Sequence, residues 1–93
     1  MTKVVYNTCF GGFSVSKEAI DWLNARGMNI NSPYHDFLRH DPLLVECVET
    51  LGNRANGACA ILNIAEIDGP YRIDEYDGRE SVETPTSYDW ITP

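Results

Sequence analysis

The hydrophobic and polar positions change period several times along the chain, and each change marks an element. "KVVYNTC" (Lys3–Cys9) is β-branched and aromatic with little alternation, the pattern of a strand buried on both faces. "FGGFSVS" breaks it as a loop. Ser16 is placed to cap a helix over "KEAIDWLNARG", with Ile20 and Leu23 toward the core and Ala19 or Trp22 at its margin. Gly27 is expected to close that helix in a left-handed conformation. From Met28 to His40 no period survives. Pro33 and the neighbouring Asn and Ser residues predict a crossover loop, with one short turn in "DFLRH". "HDPLLVECVETLG" is the best helix signal. Asp41 caps it, Pro42 takes the first helical position and Gly52 ends it. Leu44, Val45, Val48 and Leu51 make one apolar stripe, widened by Cys47.

Beyond the turn "NRANG", "ACAILNIAEI" reads as a strand, and "DGP" turns the chain again. "YRIDEYDGRESVET" is a hairpin around Asp77–Gly78. The final "PTSYDWITP" has two prolines and no period, and is either frayed or docked through Tyr88 and Trp90. The order β-α-α-β-β-β predicts an α+β fold, a two-layer α/β sandwich with a mostly antiparallel sheet and both helices on one face. The last three strands are expected to form a meander that the first strand joins across the helices. Residues 1–85 make the single domain and 86–93 a tail.

The two-residue turn sets the hairpin register. Tyr76 pairs with Arg79, Glu75 with Glu80, Asp74 with Ser81, Ile73 with Val82 and Arg72 with Glu83. Ile73 and Val82 face the core. Glu75 and Glu80 then oppose each other on that same side, near its rim. Like charges so placed destabilise a sheet unless a cation sits close or both carboxylates reach water. Arg39 and Arg54 are the candidates within the chain.

Charge narrows the partners. The chain carries a formal net charge of -7, which argues against general binding to a phosphate backbone. It fits plain solubility, or an acidic face offered to a basic partner. No signal peptide and no apolar run long enough to span a bilayer are recognisable, so a membrane role is not expected. Cys9, Cys47 and Cys59 are odd in number and lack metal-site spacing with His35 or His40. Free thiols in a reducing cytosol, with no metal and no cofactor, are the simplest reading.

Two loops carry candidate chemistry. A thiol between a strand and a helix start is where cysteine phosphatases place C-x5-R-[S/T]. Here Cys9 and Ser16 fit, but Val15 stands where the arginine must clamp the phosphate, so that chemistry fails and no enzyme activity is expected. Nothing places His35 or His40 beside Cys9 for a thiol hydrolase, and Cys9 reads as a small buried residue at a strand end.

Binding is the stronger reading of the same loop. Gly11 and Gly12 let backbone approach a ligand, and the following helix start offers free amides. Asn7, Thr8, Ser14 and Ser16 add neutral donors, and Phe10 and Phe13 add apolar or stacking surface. Arg39, His40 and Arg54 can supply charge. These residues suit a small anionic, nucleotide-like ligand. A turn with no ligand is the simpler account of the double glycine, since such a pair between strand and helix is most often a turn. In the second loop, "YHDFLRH", Tyr34, His35, Phe37, Arg39 and His40 gather stacking and titratable groups, or else Phe37 and Leu38 merely pin the crossover. The alternative partner is a basic host protein, blocked by an inhibitor or DNA mimic whose acidic face is Asp74, Glu75, Asp77, Glu80 and Glu83.

"VVYNTCFGGFSVS", "RHDPLLVECVETLG", "ANG" and "IDEYDGRESV" together resemble a family of short uncharacterised proteins of tailed bacteriophages and prophages. The pattern shared is an Asn-x-Cys-aromatic-Gly-Gly-aromatic loop, an Arg-x-Asp-Pro helix start and a closing Glu-Tyr-Asp-Gly hairpin. The resemblance covers nearly the whole chain. It implies a small accessory protein in the cytoplasm of an infected bacterium, acting against host defences by sequestering a nucleotide signal or blocking a host protein. It transfers no catalytic residue. Homo-oligomerisation is expected, since so small a chain encloses a ligand better with help from a second copy.

Overall fold

The computed structural model describes residues 2–84; the tail expectation for Tyr88 and Trp90 lies outside them. The elements follow the order β1 (Thr2–Asn7), α1 (Lys17–Asn24), α2 (Pro42–Leu51), a 3-10 turn (Gly52–Ala55), β2 (Leu62–Ile67), β3 (Arg72–Tyr76) and β4 (Arg79–Glu83). The α+β class, the order and the antiparallel pairing are those read from the sequence.

Local signals act as expected. Ser16 caps α1, its Oγ accepting from the Ala19 amide at 3.0 Å. Gly27 has φ +99, and the chain closes there through Met28 N–H to Leu23 C=O and Gly27 N–H to Asn24 C=O, the bond pair of a Schellman motif. Asp41 caps α2 by accepting from the Leu43 amide, with Pro42 at its start and Gly52 (φ +57) at its end. Leu44, Val45, Cys47, Val48 and Leu51 are all buried. On α1 the buried pair is Ala19 and Leu23, whereas Ile20 and Trp22 are half-buried. Ala19 rather than Ile20 is inside because α1 lies close against α2, where the Cys47 thiol approaches the Ala19 carbonyl.

The sheet differs from the expected meander. β1 pairs with β2 from Thr2↔Ile67 to Asn7↔Leu62, and β3 pairs with β4 as a separate hairpin. No ladder joins β2 to β3. Asp68–Gly69–Pro70 does turn the chain, with Gly69 at φ +82, but it redirects the hairpin toward β1, which β4 contacts. The second strand is also shorter than "ACAILNIAEI", because Ala58 and Cys59 lie in a turn. Val15 bridges Asn56, with Ser16 N–H bonded to Ala55 C=O and Gly57 N–H to Ser14 C=O. Those bonds fasten the approach to α1 to the 3-10 turn that follows α2.

The core sits between the helices and the β1–β2 pair. It takes Val5 and Leu62 from the strands, Leu23 and Leu44 from the helices, and Val15 and Phe37 from the connections. Val4 and Val5 are both wholly buried, so β1 is covered on both faces as its unbroken apolar pattern predicts.

Candidate functional site

The hairpin register is the predicted one at all its pairs, and Asp77 (φ 53) and Gly78 (φ 90) both take the positive φ of a type I′ turn. Glu75 and Glu80 therefore do oppose each other. They are kept apart by opposite fates. Glu75 is exposed and accepts from the Gly78 amide at 3.2 Å. Glu80 turns inward, is 8% exposed, and meets Arg39 in a two-pronged ion pair with distances of 2.5 and 3.0 Å. Such paired bonds are the strongest form of a guanidinium–carboxylate contact. The Arg39 guanidinium also stacks 3.7 Å from the Phe13 ring centre, and Phe13 contacts Phe37. The expected cation is thus Arg39, delivered by the crossover loop.

The same pair finishes the outer edge of β1. Amides of alternate residues point away from β2. That of Val5 bonds the Arg39 carbonyl at 2.8 Å, and that of Asn7 bonds Glu80 Oε1 at 2.9 Å. A crossover carbonyl and a side-chain carboxylate thus stand where a third strand would be. Asn7 extends the tie. Its Nδ2 donates to the carbonyls of Cys9 (2.6 Å) and Gly78 (2.8 Å), and its Oδ1 accepts from the amides of Cys9 (3.1 Å) and Ile61 (2.9 Å). One buried amide therefore fixes the Cys9 loop, the start of β2 and the hairpin turn.

This arrangement spends most of the donors that the opening loop offers. Thr8 Oγ1 donates to the Ile61 carbonyl and accepts from Asn63. Ser16 Oγ, already capping α1, donates to the Arg54 carbonyl at 2.5 Å. Ser14 is buried against Gly57. Gly11 leaves no room for a side chain, since a Cβ there would come 2.1 Å from the Cys59 Cβ and 2.2 Å from its carbonyl oxygen. Gly12 (φ +90) is open at its Cβ position, but the hairpin's Gly78 packs against its amide. The double glycine serves close packing between two turns. Of the predicted ligand residues, Asn7, Phe13 and Arg39 come together, around Glu80. Arg54 lies apart, paired with Glu18 at 2.9 Å, and His40 stands with Tyr71, its Nδ1 2.7 Å from the hydroxyl. His35 packs on Phe37 by its edge.

A groove of about 760 Å³ runs between β1 and the hairpin. Tyr6 of β1 and Thr8 just past its end form one wall, with Phe10 beyond them. Asp74, Glu75 and Tyr76 of β3, with Arg79, Glu80 and Ser81 of β4, form the other. Phe10 and Tyr76 are 58% and 79% exposed, high for aromatic rings on so small a surface. Arg79 reaches toward Phe10, 6.0 Å from its ring centre. Of the predicted acidic face, Asp74 and Glu75 line this groove, and Asp77 is exposed at the turn. Glu80 is turned in, and the half-buried Glu83 accepts from Ser81. Sequence reading missed Tyr6, Tyr76 and Arg79. The two-residue spacing of Tyr6, Thr8 and Phe10 was the available signal for Tyr6, and the Tyr76–Arg79 cross-strand pair was that for the other two.

The thiols divide by environment. Burial pushes the Cys47 thiol up to about 11, against its usual 9.0. Cys9 is half-buried and Cys59 exposed. Burial also raises the Tyr71 phenol, partly offset by Arg39. No helix of the described residues is long and apolar enough to cross a membrane. No family model, curated protein or solved structure matches the chain.

Proposed function

We propose that the protein is a non-enzymatic binding protein that takes a basic, extended segment of another protein into the groove between β1 and the hairpin. One observation carries this reading: the open aromatic surface of Tyr6, Phe10 and Tyr76 lies beside Asp74 and Glu75 in a single groove. Aromatic faces attract lysine and arginine head groups, and the two carboxylates favour the same charge. The chain's net charge of -7 adds long-range attraction for a basic partner. The small-anion reading of the opening loop has less support, because Asn7 and Ser16 already use their side-chain polar groups within the fold and Ser14 is buried.

The resemblance to short phage proteins supports placing this activity in an infected bacterial cytoplasm, as an accessory protein that occupies a basic surface of a host protein. Fluorescence anisotropy with labelled Lys- and Arg-rich peptides tests the binding step. The expected result is saturable binding that weakens with salt and is lost when Asp74→Lys and Glu75→Lys are combined. Equal binding by that folded variant, or tighter binding of an acidic peptide of the same length, overturns the proposal. Calorimetry against mono-, di- and cyclic nucleotides, where heat is expected to be absent, separates it from the small-anion alternative.

A further inference from the structure

The outer edge of β2 has no backbone partner at Ile64 and Glu66 among the described residues, unlike the β1 edge that Arg39 and Glu80 cover. Thr8 N–H bonds Ile61 C=O, and the amides of Val5 and Asn7 point away from β2. The alternation of an antiparallel ladder then aims Asn63, Ala65 and Ile67 at β1, and Leu62, Ile64 and Glu66 outward. The Leu62 amide is satisfied by Asn56 Oδ1 at 2.9 Å. Among the described residues, no backbone group bonds the outward N–H and C=O of Ile64 or Glu66. Natural edges are usually blunted by lysine, proline or a bulge. "LNIAEI" contains no lysine or proline, and its one charge, Glu66, lies opposite Lys3 in the ladder.

We infer that β2 pairs antiparallel with β2 of a second copy of this chain, about a two-fold axis through Ala65. The observations select that occupant and that register. With the axis at Ala65, Ile64 faces Glu66 of the second copy, and every outward N–H and C=O of both residues finds a partner. An axis at Ile64 would instead need the Leu62 amide, which Asn56 already holds. The chosen register sets no charges directly opposite each other. It joins two marginal two-stranded sheets into one of the order β1-β2-β2-β1, and isolated two-stranded sheets gain most from such extension. The half-buried Ile64 and Ile67 then lose further surface to water. The groove lies on the far side of β1 from this edge, so each copy keeps its own.

Sedimentation equilibrium on the full chain is expected to show a concentration-dependent dimer. Ile64→Pro removes an N–H that no backbone group of the described residues bonds, and should leave a folded monomer. A cross-link provides the second arm. In a Cys59→Ser background, Ala65→Cys places two thiols opposite each other across the axis and should form a disulfide-linked dimer on mild oxidation. Asn63→Cys, which faces Ile67 of the second copy, should not. A wild-type chain that stays monomeric up to roughly 100 μM, a dissociation free energy below about 5.5 kcal/mol, overturns the inference. So does a dimer that persists in folded Ile64→Pro, or one in which Ala65→Cys cross-links no faster than Asn63→Cys.

Discussion

Glu80 ties together β1, the crossover loop and the hairpin. It opposes Glu75, pairs with Arg39 through both oxygens and accepts the Asn7 amide, while almost wholly buried. A buried pair of this kind contributes little against a well-packed apolar alternative, but removing one partner strands the other's charge. Glu80→Ala and Arg39→Ala should therefore each cost about 3 kcal/mol in urea denaturation. The double variant should cost clearly less than the two added together, because neither charge is then left alone. Strict additivity would mean that the pair is solvated and that the hairpin docks by other means. The two glycines of the opening loop differ just as sharply. Gly12→Ala meets only an unfavourable φ and should lose about 1 kcal/mol. Gly11→Ala drives a methyl into the Cys59 backbone and should lose about 2–3 kcal/mol, the range of an overpacked site.

At the scale of elements, α2 makes its own prediction through Cys47. The folded thiol ionises near 11 because it is buried, above its usual 9.0. The neutral form is the one the fold favours. Its contribution is thus complete below about 9 and is lost as pH rises through about 11. Wild-type stability should fall across that window more steeply than that of Cys47→Ala, measured by denaturant midpoint at each pH. At neutral pH a thiol reagent should label Cys59 at once and Cys47 only on unfolding. The helices, caps and hairpin were legible in the sequence because each is decided within a few residues: Ser16, Gly27, Asp41 and Asp77–Gly78 all act as their types predict. The partition into two sheets was not legible. It depends on where "DGP" sends the hairpin, and the deciding contacts join Glu80 to Arg39 and Asn7, far apart in sequence. One trace of it was visible, since the opposed Glu75 and Glu80 called for a nearby cation or for water. The function of Asn7 was hidden for the same reason. Its side-chain partners include Ile61 and Gly78, which no local pattern connects to it.

For the whole molecule, the consequence is a body in two unequal parts. The helices and the β1–β2 pair share one apolar core, whereas Ile73 and Val82 of the hairpin, expected to face it, are half-buried and are not among the residues packed there; the hairpin is tied instead through Glu80 and Gly78. Units with little buried apolar surface open at lower free energy than the global transition. Residues 72–83 should therefore exchange their amide hydrogens through a sub-global opening while the core of β1 and β2 stays protected. The Asn7 amide separates this from simple fraying. It belongs to β1, but its acceptor is Glu80, so it should exchange at the rate of the hairpin, whereas the Val5 amide, bound to the Arg39 carbonyl, should follow the core. Glu80→Gln, which keeps an acceptor for Asn7 but abolishes the charge that Arg39 grips, should speed exchange across the hairpin and at Asn7 alike. It should leave the ratio of Val5 to the β2 amides unchanged. Exchange of Asn7 and Val5 at one common rate in both proteins would mean that the hairpin and the core open together. The groove would then be a fixed feature of a single cooperative unit. With separate rates, its hairpin wall can lift from β1, and a basic segment is admitted at the free energy of that opening rather than of unfolding.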